Sequence, residues 1–332
     1  MSRRMWMCVV IGLAVVTGLG FVGWASSSHS GASSSVTAQS VKTGDWTASL
    51  ANKDKRKGKS SDSESSQDSA KDSDKIHLNL ERHTEKGHRN QMGQSYDFSE
   101  LQGLSREQVT SGGQVKFSLV REAGTIVFDG SFQDGKGSGT FTFTGNQSFV
   151  AAMKSRGFDF EEDANSSHDR DGEDRLFAAT TLNVTTALAD DLTSADFGKL
   201  SVEDLFKAAN FKVDSKFMRE MKASGFPNLG MEDLVKARIF KIDAEFVRQV
   251  TEMGFAKEPF ESLVKLQIFK VTPEFITEVR NEGLTDLSIE DLVKLRIFKI
   301  DSEFIRRAKA DGVPLEVERL VQRRLGVAQR RP

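Results

Sequence analysis

Residues 234–246 read LVKARIFKIDAEF and residues 292–304 read LVKLRIFKIDSEF, 58 positions apart. A single enzyme site has no use for such duplication, so the echo constrains the fold before any other feature does. Its period is 29 residues. Leu205, Leu234, Leu263 and Leu292 form one column, and Phe211, Phe240, Phe269 and Phe298 a second. Phe217, Phe246, Phe275 and Phe304 make a third, and Gly225, Gly254, Gly283 and Gly312 a fourth. A worn first copy occupies 171–199, and LEVERLVQRRLGV (315–327) reads as half a copy. A fixed period of this length belongs to stacked supersecondary units, each unable to bury its apolar face alone.

Each unit reads as two short helices. The first starts at residues such as Ser201 or Ser288, with acids at the second and third helical positions, in the manner of a capping box. The second starts at Asp214, Asp243, Thr272 or Asp301, whose side chains accept from first-turn amides. Apolar pairs straddle each of these caps (Val213/Met218, Ile242/Val247, Val271/Ile276, Ile300/Ile305), the spacing of a hydrophobic staple. The glycine column ends the second helix, where a left-handed residue is needed. The phenylalanine columns are therefore expected in a shared core. QSFVAAMKSRGF (147–158) repeats the Phe-to-Gly spacing of that second helix and is expected to dock at the start of the array.

Upstream the period changes to two. Ile76, Leu78 and Leu80 alternate with polar residues, as do Val115, Phe117 and Leu119, and GTIVFDGSF (124–132) and GTFTFTG (139–145) continue the pattern. Asp134-Gly135 is a hairpin-turn signal. The expectation is a small, mostly antiparallel sheet of four or five strands, with a helical turn near SREQV (105–109). GKGSG (135–139) leads into a strand and lacks a following Lys-Ser/Thr pair, so it reads as a turn and not as a phosphate loop. His77, His83 and His88 match no metal-ligand spacing, and no HExxH occurs. FDFEEDANSSHDRDGED (158–174) does not meet calcium-loop spacing. No catalytic residue, metal or cofactor is expected.

The first 25 residues carry Arg3 and Arg4 before the apolar run 5–25, which reads either as a signal peptide or as an uncleaved membrane anchor. Cys8, inside that run, is the chain's one cysteine, so disulfides and cysteine catalysis are excluded downstream. Residues 26–74, rich in Ser, Lys and Asp, read as a disordered tether. The domain plan is therefore 1–25 signal or anchor, 26–74 tether, 75–158 sheet domain ending in a helix, 159–170 acidic linker, and 171–327 helical repeats. The fold class is α+β, a small antiparallel sheet followed by an α-solenoid of 29-residue hairpins. A formal net charge of -2 gives no field favouring nucleic acid, and none is expected as a partner.

Two lysine columns run through the copies. Lys207, Lys236, Lys265 and Lys294 each follow an acid by four residues and are expected to pair with it within the helix. Lys212, Lys241, Lys270 and Lys299, at the turn after the first helix, have no such partner. With Arg238 and Arg296 they form the candidate partner-binding stripe, suited to an acidic envelope protein or an anionic envelope polymer.

LSIEDLVKLRIFKIDSEFIRRAKADG (287–312) resembles repeats of uncharacterised exported bacterial proteins. It is similar also to the C-terminal repeats of some membrane metallopeptidase antirepressors of the BlaR/MecR type. Residues 115–158 resemble the segment that accompanies those repeats. The turn reads His-Gly-Val there and Phe-Lys-Ile or Phe-Lys-Val here. The peptidase part has no counterpart in this chain, so the resemblance implies no catalytic residue. The expected function is a non-catalytic interaction or scaffold module outside the cytoplasm. The alternative is a regulatory, sensor-like partner of a membrane peptidase or signalling protein.

Overall fold

The computed structural model describes residues 41–50, 75–83, 89–161 and 172–326. The signal or anchor at 1–25, His88 and most of the acidic linker lie outside these residues. Among the described residues, no helix is long and apolar enough to cross a membrane.

Seven antiparallel strands form one sheet: β1 (Val41–Leu50), β2 (Lys75–His83), β3 (Arg89–Asp97), β4 (Leu101–Gln102), β5 (Gly113–Arg121), β6 (Gly124–Gln133) and β7 (Lys136–Gly145). Their order is β3-β2-β1-β7-β6-β5-β4. The two edge strands, β3 and β4, are joined by a single 3-10 turn, Phe98–Glu100. Three residues span only about 10 Å, so the sheet must curl until its edges approach each other.

Strand β1 corrects the reading of 26–74 as a tether for residues 41–50. It lies in the middle of the sheet, pairing with β2 on one side and β7 on the other. Its inward alternation is short, Trp46 and Ala48 among polar neighbours, so composition masks it. Pairing with strands far along the chain stabilises it. The Trp46 indole is 1% exposed and occupies the space left by Gly130 and Gly139, where any Cβ would collide with it. Its N–H donates to the Asp129 carbonyl at 3.2 Å. Around it Phe117 packs edge-on at 5.4 Å and stacks in turn on Phe128 at 4.5 Å. Asp134 (φ 50°) and Gly135 (φ 73°) make the two-residue β6–β7 turn, and GKGSG is turn and strand. The helical turn near 105 is α1 (Arg106–Ser111), whose capping box joins Ser105 and Gln108.

Twelve further helices follow: α2 (Gln147–Lys154), α3 (Gly172–Leu182), α4 (Thr186–Thr193), α5 (Val202–Phe211), α6 (Ser215–Ala223), α7 (Met231–Ile239), α8 (Ala244–Glu252), α9 (Phe260–Ile268), α10 (Pro273–Asn281), α11 (Ile289–Ile297), α12 (Ser302–Ala310) and α13 (Val317–Arg324). Odd-numbered helices meet the next odd one (α3 with α5, α5 with α7, α9 with α11, α11 with α13). On the even side α2 meets α4, α4 meets α6 and α10 meets α12. Helices of nine residues are marginal alone in water; burial against neighbours stabilises them. Asp214, Asp243, Thr272 and Asp301 each accept the amide three residues on. Gly225, Gly254, Gly283 and Gly312 hold φ of 101°, 98°, 107° and 73°.

Helix α3 joins the two regions. It packs on β6 and β7, with Phe177 stacked on Phe141 at 5.5 Å. Arg82, inward-facing on β2, and Lys42 both pair with the nearly buried Asp174. Tyr96 donates to the Thr181 carbonyl at 3.1 Å, and burial pushes its hydroxyl well above the ordinary phenol range. At the same junction Arg156 forks onto Asp190 of α4 at 2.7 and 3.1 Å. One contiguous apolar core runs from Trp46 to Val321.

Candidate functional site

The turn between each odd helix and the following even one sets the candidate surface. Lys212, Lys241, Lys270 and Lys299 all adopt left-handed backbone, at φ 54°, 54°, 54° and 51°, and Asn183 holds the matching place after α3 at 57°. The next amide then returns to the carbonyl five residues back, as from Val213 to Ala208 at 2.9 Å and from Ile300 to Leu295 at 2.8 Å. That geometry sends Val213, Ile242, Val271 and Ile300 into the core and leaves the preceding lysine exposed. A left-handed L-residue costs roughly 1–2 kcal/mol, which glycine avoids. The chain nevertheless holds a lysine there four times. Among the described residues none of the four has an ion-pair partner.

Beside them lies a feature that reading the sequence missed. Ile239, Ile268 and Ile297 are 52%, 50% and 51% exposed, each two residues before a lysine of the column. A legible signal was there: Ile-Phe-Lys recurs in three copies. It was obscured because isoleucine is ordinarily assigned to the core. The intervening Phe240, Phe269 and Phe298 are partly buried and packed against the core. The ridge at the turns therefore alternates apolar and cationic groups. In the copy that follows the worn one the place of the isoleucine is taken by Asn210, which accepts from Gln94 of β3 at 3.3 Å. Near that end a shallow hollow of about 330 Å³ opens between the α3–α4 and α5–α6 turns, lined by Leu182, Asn183, Leu188, Ala209 and Lys212 among others.

The arginines of the expected stripe do something else. Arg238 lies 3.8 Å over the Phe217 ring and Arg296 3.9 Å over that of Phe275. Both rings are 3% exposed. Each Nε is buried without a hydrogen bond, and burial lowers the Arg296 pKa below the ordinary guanidinium value. These side chains seal the joint between an even helix and the following odd one, so they belong to packing more than to an open stripe. Arg248 is held by Glu245 and Glu252, and Arg306 by Glu282 at 3.3 Å.

The other lysine column also departs from expectation. Instead of pairing with the acid four residues earlier, Lys207, Lys236, Lys265 and Lys294 reach the next odd helix. They meet Glu232, Glu261, Glu290 and Glu318 at 2.5, 2.6, 3.0 and 2.5 Å. Adjacent packed helices lie only about 8–10 Å apart, which brings the neighbour's first-turn carboxylate within reach. Glu232 pushes the Lys207 amine up, and Lys265 holds the Glu290 carboxyl below its ordinary range. These amines are engaged within the molecule.

Among the described residues no group of three or more His, Cys, Asp or Glu side chains is placed to hold a metal ion. His77 is exposed on β2, its Nδ1 3.3 Å from Ser95 Oγ. The chain matches no protein-family profile, no curated protein and no solved structure.

Proposed function

We propose that this chain is an exported, non-catalytic interaction module of the cell envelope, an α-solenoid of 29-residue helical hairpins carried on a curled β domain. The solenoid reading is supported by helix starts at 202, 231, 260 and 289 and at 215, 244, 273 and 302. Lysine-to-glutamate bridges that step from one odd helix to the next support it further. One observation carries the binding reading. Lysine is kept at four left-handed turn positions that glycine would fill with less strain, alongside isoleucines half-exposed in three of the same turns. Strain that recurs at one surface is a reason to look for function there. The ridge suits a partner that offers acidic groups around an apolar stripe.

The sensor-like alternative rests on the resemblance of 115–158 and of the repeats to antirepressor C-terminal regions. In those repeats the turn carries glycine; the lysine here gives this chain a charged surface of its own.

Photo-crosslinking in intact cells separates the readings. A cross-linker at position 268 is expected to trap one envelope component, and one at the opposite end of α9, position 261, is not. Substituting Lys212, Lys241, Lys270 and Lys299 by glutamate should abolish the adduct without changing the melting profile. An adduct unaffected by those four substitutions would sink the ridge. An adduct with a membrane peptidase or signalling protein would favour the alternative.

A further inference from the structure

Three of the four phenylalanines in the column Phe217, Phe246, Phe275 and Phe304 lie under a guanidinium. Arg238 covers Phe217 at 3.8 Å, Arg296 covers Phe275 at 3.9 Å and Arg324 lies 5.2 Å from the Phe304 centroid. Arg238 and Arg296 occupy the same column of the repeat. Its intervening member, 29 residues from each, is Gln267. Among the described residues no cation lies over Phe246. Phe217 and Phe275 are 3% exposed under their close arginines, whereas Phe246, like Phe304 beneath the more distant Arg324, stays partly exposed.

The rest of the arrangement is kept. Asp243 Oδ1 accepts the Phe246 amide at 2.8 Å, as Asp214 Oδ1 accepts that of Phe217 at 2.8 Å. Over Phe217 the same Asp214 oxygen stands 3.8 Å from Arg238 Nη2, so a carboxylate and an aromatic face together hold that cation, whereas beside Phe275 the cap is Thr272 and Arg296 rests on the ring. A planar guanidinium suits such a face better than a compact ammonium does. Lys241 on the rim is no obstacle, because Lys212 holds the corresponding place beside the covered ring. Arg248, the nearest arginine in sequence, is committed to Glu245 and Glu252.

We infer that Phe246, Asp243 and Gln267 form an open socket for an arginine side chain presented by a partner protein. The molecule itself supplies the template for what fits, since it fills the two flanking sockets with its own arginines. This inference goes beyond the lysine–isoleucine ridge and does not depend on it.

The test uses the full chain carrying ¹³C-labelled phenylalanine, with the Phe246 ring assigned through Phe246→Leu. N-acetyl-arginine amide is expected to shift the Phe246 ring signals saturably, with N-acetyl-lysine amide about threefold weaker. Asp243→Asn, which keeps the helix cap, should weaken the arginine response by a similar factor. Gln267→Arg should fill the socket, raise the melting temperature and abolish the response. No shift at Phe246, a shift that survives Gln267→Arg, or a response as strong for lysine as for arginine overturns the inference. Glutamate at Lys212, Lys270 and Lys299, with Lys241 on the rim kept, leaves this titration unchanged if the socket is independent, so failure of the ridge and failure of the socket are read separately.

Discussion

The sheet and the helical region are built on opposite terms. In the sheet the pairing that joins its two halves is far from local: β1 lies against β7, so Trp46 faces Leu80 across one seam and Gly139 across the other. In the helical region each odd helix leans on the next odd one, and the bridging charges are about one repeat apart in sequence. The first arrangement stands or falls together, because a middle strand is shared by both halves of the sheet. On the solenoid reading proposed above, the second can lose one joint and keep the others, as expected where contacts reach only the nearest neighbours. The difference is one of connectivity, since one apolar core runs through both.

The largest effect that sharpens this contrast is expected from Trp46→Ala. It removes the indole lodged between Gly130 and Gly139 and should cost about 4 kcal/mol, with loss of amide protection in all the long strands at once. Protection lost only in β1 and its two partners would break the argument. Leu263→Ala, in the buried leucine column, should cost about 3 kcal/mol. Hydrogen exchange should rise in α7 to α11 while the sheet stays protected. A single transition that takes the sheet with it would show that the helical region is not built joint by joint.

Smaller effects test the turns. Replacing any one of Lys212, Lys241, Lys270 or Lys299 by glycine should stabilise the fold by about 0.5 kcal/mol, the relief of left-handed strain less the added freedom of the unfolded chain. Denaturant melts check the sign, and destabilisation would mean that the lysine side chain supports the turn. The smallest effect belongs to the charge ladder. Lys265 lowers the folded pKa of Glu290, so the stability from this pair is present above the unfolded carboxylate range near pH 4–5. It is lost as pH falls through the lowered folded value. Glu290→Gln should remove that segment of the pH dependence, and salt near 1 M should mute it in the parent chain.

Legibility followed the same division. The helix starts, the caps at Asp214, Asp243, Thr272 and Asp301 and the glycine stops were readable because each is settled within a few residues. Strand β1 was not, since Trp46 and Ala48 give too short an alternation to stand out from serine- and lysine-rich surroundings. The exposed lysine column was also visible, but its left-handed backbone was not. For the arginines, residue type suggested an open stripe while packing placed them on aromatic rings. The outward isoleucines were hidden by the habit of assigning that residue to the interior.

By itself the sequence determined the period, the helix boundaries and the columns of residues that must be equivalent, because helical preference and capping act over three to five positions. Tertiary structure alone decided which members of a column face solvent, which acid each lysine meets, and that a strand from 41–50 completes the sheet. Those outcomes depend on distances between parts of the chain that no local pattern encodes, and burial of Trp46 and Phe177 and the bridging of Asp174 depend on them too.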